Sequence, residues 1–191
     1  MINLTTWDAP SELKALFPYY LAGFDYDQRP VWVLEAGKLD FRRVVEPGEE
    51  SLATAKRYLF QAIFNIIRSF LEADSGDKEV RKALIILDME GFNLKQVNSA
   101  PTFAVFTELF AKYWDLLLAI IDNIVVLNAN YVTKIAYDIL RPVLGQLLER
   151  VDLYGSNKNT WVPRLIKLMP VEIIPPWYGG REDFKPLRVF G

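Results

Sequence analysis

The chain contains no cysteine and no histidine among its 191 residues. Without cysteine there are no disulfides and no thiol chemistry, an absence that is neutral about compartment. Without histidine as well, a Ser-His-Asp triad, a Cys-His pair and a zinc site of the usual type are all excluded. Carboxylate chemistry remains possible in principle, whereas catalysis by His or Cys does not. Long apolar runs are missing too. The longest, Leu116 to Ile121, lies between Asp115 and Asp122, whereas a bilayer span needs roughly 20 residues. The N-terminus has neither a basic region nor an apolar one of the secretory kind, so no signal peptide is expected and the cytoplasm is the default location. Net charge is only −2, with lysine and arginine spread along the chain, so there is no nucleic-acid footprint.

What the chain does have is apolar surface. Hydrophobic residues make up 51% and aromatics 14%, above the usual share for a soluble domain. The length suits one domain over residues 1–191 with a full core. Either this inventory packs a core around parallel strands that are apolar on both sides, or part of it lines a cavity. Composition by itself favours the packed core.

Pattern divides the chain into strands separated by helical crossovers. A short helix is expected over Ser11 to Phe17, then strands over Tyr19 to Phe24 and Val31 to Ala36, with Asp25 to Pro30 as a hairpin turn. Pro47 to Glu50 reads as a loop. Ser51 to Ala73 reads as a long helix with Leu52, Ala55, Leu59, Ala62, Ile63, Ile66 and Phe70 on one face, broken at Asp74 to Lys78. Ala83 to Met89 and Asn123 to Leu127 are apolar without alternation, as buried parallel strands are, and between them a helix runs from about Pro101 to Ile121. After Leu127-Asn128-Ala129-Asn130 comes a greasy helix, Tyr131 to Leu140, stopped by Arg141-Pro142. A strand over Val151 to Tyr154, a helix from Asn159 or Thr160 to Leu168, and a polar tail from Arg181 to Gly191 complete the reading.

Each chemical motif has a plain structural alternative. Asp88 with Glu90, and Asp25 with Asp27, are carboxylate pairs near glycines, a pattern open to metal or acid–base work at strand ends. No phosphate-binding glycines or further ligands accompany them, and a loop-capping role fits Asp88 better. Gly179-Gly180 lacks the P-loop frame and follows Pro175-Pro176, which suits a tight reversal with positive φ. Phe103, Phe106, Phe110 and Trp114 share a helix face. Trp114 reads as core, while the three phenylalanines can wall a cavity floored by Ile85, Leu87, Ile124 and Val126. Lys134, Arg141 and Arg150 are either scattered surface charge or contacts to lipid headgroups and an anionic membrane.

Four segments in register carry a family resemblance: Gly23-Phe24-Asp25-Tyr26-Asp27-Gln28-Arg29-Pro30-Val31, Leu87-Asp88-Met89-Glu90-Gly91-Phe92, the strand ending in Asn128-Ala129-Asn130 with the helix after it, and Pro175-Pro176-Trp177-Tyr178-Gly179-Gly180. Together they resemble the CRAL-TRIO lipid-binding domain, which includes tocopherol-transfer, retinaldehyde-binding and phosphatidylinositol-transfer proteins. The resemblance implies an α/β fold with a mixed, mostly parallel sheet flooring a hydrophobic pocket, helices as walls and a mobile gate helix at Tyr131 to Val143. It adds Leu94, Val132, Ile135, Ile139 and Leu140 to the pocket, and it implies a non-enzymatic protein without a cofactor. No counterpart of the family's small helical N-terminal domain is expected within residues 1–191.

One departure bears on cargo. Phosphoinositide-binding members carry a Tyr-Pro-Glu-like segment before the Asn-Ala strand, where this chain has Leu117-Leu118-Ala119, and the basic partner of that Glu survives alone as Arg150. Tocopherol, retinoid, carotenoid, squalene or phospholipids held by their tails become the expected ligands, carried between membranes or to a partner during transient contact with a membrane surface. A lipid-sensing regulatory module without transfer is the alternative.

Overall fold

The computed structural model describes residues 4, 6–74 and 79–191. Its elements, in chain order, are α1 (Ser11–Leu16), β1 (Tyr19–Phe24), β2 (Pro30–Leu34), α2 (Arg42–Val45), α3 (Glu49–Ala73), β3 (Ala83–Asp88), α4 (Leu94–Val97), α5 (Ala100–Ile120), β4 (Ile121–Leu127), α6 (Tyr131–Leu148), β5 (Val151–Leu153), α7 (Lys158–Leu168) and β6 (Arg188–Phe190). The strands form one sheet in the order β5-β4-β3-β2-β1-β6. Strands β2 to β5 are parallel, and β1 is antiparallel to both β2 and β6. A mixed, mostly parallel sheet with helices on it is what the sequence pattern and the resemblance both imply.

Both faces of the sheet are covered, which is why β3 reads as a continuous apolar run. One face carries Trp32, Ile85, Ile124 and Val126 and packs with Ile63 and Phe70 of α3, Ile120 of α5 and Leu147 of α6. The other carries Val31, Val33, Leu84, Ile86, Val125 and Leu127 and packs on Trp161 and Leu165 of α7. The hairpin between β1 and β2 is organised by Asp25. Its carboxylate accepts from the backbone N–H groups of Asp27 and Arg29 at 2.9 and 2.8 Å and pairs with Arg29 Nε at 2.7 Å. Arg29 also pairs with Asp122 at the start of β4. Asp25 therefore builds a turn and stitches it to the sheet.

Several expectations are corrected. The helix after Asn130 does not stop at Arg141-Pro142 but runs to Leu148. Proline's fixed φ is compatible with a helix, and the cost is the donor that Asp138 C=O would have received. The real interruption is Gly145, whose φ of 22° and ψ of −110° are non-helical. Helix α3 begins at Glu49, inside the expected loop, and buries Tyr58, Ile63 and Phe70 while Leu59 is exposed, so the buried stripe is rotated from the expected one. Helix α7 is capped by Asn157, not by Asn159 or Thr160. The expected tail contains β6, whose Phe190 ring stacks on Tyr19 with centroids 4.9 Å apart. The break at 75–78 lies outside the described residues.

Candidate functional site

Ile85 and Leu87 point to the same face because strand side chains alternate, and the parallel register sets Ile85 opposite Ile124 and Leu87 opposite Val126. The four make an apolar block in the middle of the sheet. Ile85, Ile124 and Val126 are buried, yet Leu87, on a strand flanked on both sides, is only half-buried. Leu34 on β2, Leu153 on β5 and Met89 just past β3 share this face and its partial exposure. The inner face is therefore sealed at its middle and open towards the C-terminal ends of the strands.

Helix α6 follows β4 through the Asn128-Ala129-Asn130 turn. Asn128 adopts φ 56°, a left-handed conformation that asparagine tolerates better than most residues, and its Nδ2 donates to Asp88 Oδ1 at 2.8 Å. Asn130 caps the helix by accepting from Thr133 N–H at 3.0 Å, and its Nδ2 donates to Phe92 C=O at 2.6 Å. Past this anchored start, Val132, Ile135 and Leu140 are half-buried, and Ile139 is 50% exposed. Among the described residues, Leu147, beyond the Gly145 kink, is the α6 side chain that joins the buried core. Helix α6 packs on α5, and the apolar residues of its first part do not join the core of the sheet.

The other expected site residues are dispersed. Leu94 on α4 and Phe103 at the start of α5 are 57% and 38% exposed. The side chains of Phe106 and Phe110 lie outside the described residues. Trp114 is half-buried against the inner core, not enclosed in it. Lys134 and Arg141 are exposed on α6. Arg150 lies just past the end of α6. Its guanidinium donates to the carbonyls of Leu118, at 2.7 Å, and Ile121, where α5 passes into β4. It supplies donors to the carbonyls at the end of α5, which a helix terminus leaves without partners.

A model of the CRAL/TRIO domain matches residues 15–180. The chain belongs to the CRAL/TRIO domain family. A crystal structure of Sfh5 superposes with a TM-score of 0.56 at 13% identity, over 84% of this chain and 54% of that one. The chain thus spans about half the length of the Sfh5 chain, and a likeness at that identity concerns the fold. CRAL/TRIO domains are in general lipid-binding and transfer modules.

In this CRAL/TRIO domain two of the carboxylates open to catalysis, Asp25 and Asp88, hold the chain in place. Asp88 accepts from Glu90 N–H at 2.9 Å and from Asn128, while the Tyr178 hydroxyl donates to its second oxygen at 2.6 Å. Burial, followed by this hydrogen bond to a carboxylate, pushes the Tyr178 phenol well above its ordinary pKa, so it stays a donor. Gly179 takes φ 84°, and Gly180 sits where a Cβ would meet the Ile174 carbonyl oxygen at 1.7 Å. The reversal expected of these glycines is present. Sequence reading missed Leu34 and Leu153 as companions of the apolar block. The signal was available, because Trp32/Leu34 and Val151/Leu153 alternate in step with Ile85/Leu87.

Proposed function

We propose that this CRAL/TRIO domain encloses one uncharged hydrophobic molecule between the β3–β4 block and the first part of α6, and carries it between membranes. The observation that supports this is an unfinished interface. Leu34 and Leu87 are only partly buried, and the apolar residues in the first part of α6 are not packed into the core. Each CH₂ buried there contributes about 0.8 kcal/mol, so an isoprenoid or acyl chain binds tightly once covered. Release at a membrane follows when the lipid surface covers α6 in place of cargo. The proposed location is the cytoplasm, with transient membrane association. Native mass spectrometry of the purified protein tests this directly. A stoichiometric lipid mass is expected, and protein that is ligand-free and takes up no lipid from vesicles overturns it.

Phosphatidylinositol is not the preferred cargo in this reading. Ala119 stands where phosphoinositide-binding relatives are expected to carry an acidic headgroup contact, and Arg150 is already engaged with two backbone carbonyls. In competition against tocopherol, squalene and neutral acyl lipids, labelled phosphatidylinositol should be displaced readily. Selectivity for the inositol lipid sinks this assignment.

A further inference from the structure

A concave site lies between α3 and the segment that precedes α1. It is a groove of about 490 Å³ lined by Trp7, Asp8 and Pro10 on one side and by Glu50, Ala53 and Arg57 of α3 on the other. Spacings of three and four residues put the α3 members in one row along the helix. The opposing segment is strapped to the same helix, because Gln61 Nε2 donates to the carbonyls of Leu4 at 3.0 Å and Trp7 at 2.7 Å. The Trp7 side chain packs against the inner core. Both walls are therefore held in place.

Arg57 is the unfinished part of this groove. Its guanidinium carbon lies over the Trp7 ring, 4.3 Å from the ring centre. Such stacking uses the face of the guanidinium and leaves its N–H groups, which point outward in its plane, available for other partners. The Nε–H is buried and has no acceptor among the described residues. Of the two carboxylates on the groove, Asp8 is paired with Lys14. Glu50 stands about two turns away along α3 and is exposed. A buried donor without a partner is costly, and more so when it carries charge. Arg57 as a whole is only half-buried, so its edge can turn toward the groove to meet an incoming oxygen.

We infer that this groove binds a small monocarboxylic acid with an apolar body. A carboxylate takes Nε–H and a neighbouring Nη–H as a bidentate pair, while Trp7, Pro10 and Ala53 offer apolar surface to the rest of the molecule. Charge sets the valence. Asp8 and Lys14 cancel, so one cation, Arg57, faces one anion, Glu50. A doubly charged ligand would be repelled by Glu50 with nothing further to attract it. The volume lies within the range of small-molecule pockets. The lining includes no residue of the β3–β4 block and none of α6, so the inference goes beyond the cargo reading and does not rest on it.

The test is titration of the intact chain with phenylpropionate and with hexanoate, followed by calorimetry and by the arginine Nε–H signals in ¹H–¹⁵N spectra. The signal missing from the Arg57→Lys spectrum is that of Arg57. Saturable binding is expected, with this signal moving downfield as its proton gains an acceptor. Phenylpropanol, which keeps the body and loses the charge, should leave it in place. Arg57→Lys should weaken binding about tenfold, because an ammonium group cannot form the bidentate pair, and Arg57→Gln should weaken it further. Glu50→Gln should tighten it severalfold and relieve the discrimination against phenylethyl phosphate, the doubly charged counterpart. Tighter binding of phenylpropionate or of hexanoate assigns the groove to a ring or to a chain. An Arg57 signal that stays put at saturating acid, an equal shift with the alcohol, preference of the wild-type chain for the phosphate, or unchanged affinity in Arg57→Gln with its melt intact overturns the inference. Lipid uptake by Arg57→Gln should match that of the wild-type chain, so failure here leaves the cargo proposal standing and the reverse also holds.

Discussion

Transfer between vesicles by an Ile139→Asp variant is expected to run about a hundredfold slower than by the wild-type chain, with the thermal melt nearly unchanged. Ile139 is half-exposed on the part of α6 that is not packed into the core, so its replacement removes little from the folded state. Surface substitutions of this kind stay within about 0.5 kcal/mol. At a membrane the balance differs. Covering an isoleucine side chain with lipid is worth about 1.5–3 kcal/mol, and that gain disappears while a carboxylate must be kept in water. Fluorescence-based vesicle assays measure the rate, and a melt on the same sample measures the fold. Neutralising Lys134 and Arg141 should cost only severalfold, because at physiological salt the screening length is about 8 Å and only charges against the surface still matter. If Ile139→Asp transfers normally, or if the charge-neutral variant loses as much, docking does not use the apolar side of α6.

The largest expected effect on stability is Gly180→Ala. A Cβ at this position would stand 1.7 Å from the Ile174 carbonyl oxygen and 2.3 Å from its carbon. Both are backbone atoms, so no side-chain rotation relieves the contact and the segment Pro170–Tyr178 must shift. That segment includes Ile174 and Tyr178 of the α7-side core, and Tyr178 is the donor to Asp88. A loss of about 3 kcal/mol, near the top of the range for overpacking, corresponds to a melting temperature about 10 °C lower for a domain of this size. Gly155→Ala is the control, since its Cβ would meet only an ordinary contact with Ala129 C=O at 3.7 Å. Equal melts for the two variants would mean that the reversal at Gly179-Gly180 does not hold the core.

What was legible in the sequence is what local chemistry decides. The β3 and β4 runs and the glycine reversal follow from periodicity and φ preference, and each stands where it was expected. The apolar block was legible for the same reason, because alternation fixes which residues share a face. What the sequence hid depends on distant partners. A three-residue strand such as β6 exists because β1 offers an edge and Phe190 finds Tyr19. Arg150 looked like surface charge, and only the fold brings the end of α5 within its reach. Helix α3 was read with its stripe on Leu59 because leucine is more apolar than tyrosine, while the fold buries Tyr58, whose hydroxyl reaches the Phe17 and Phe190 carbonyls.

The anchoring of α6 limits how it can move. Its start is tied to the loop at Phe92 through Asn130 and to the strand ends through Asn128 and Asp88. Its far end is held by Leu147 in the core and by Arg150 on α5, which itself runs into β4 without a loop. A segment clamped at both ends is a strut, not a door on one hinge. If it lifts from cargo as proposed, it must bow, yielding at the Pro142–Gly145 weak point, and the gap it makes is a slot along its flank. A long, thin molecule can slide through such a slot lengthwise, while a broad one of equal volume is held back.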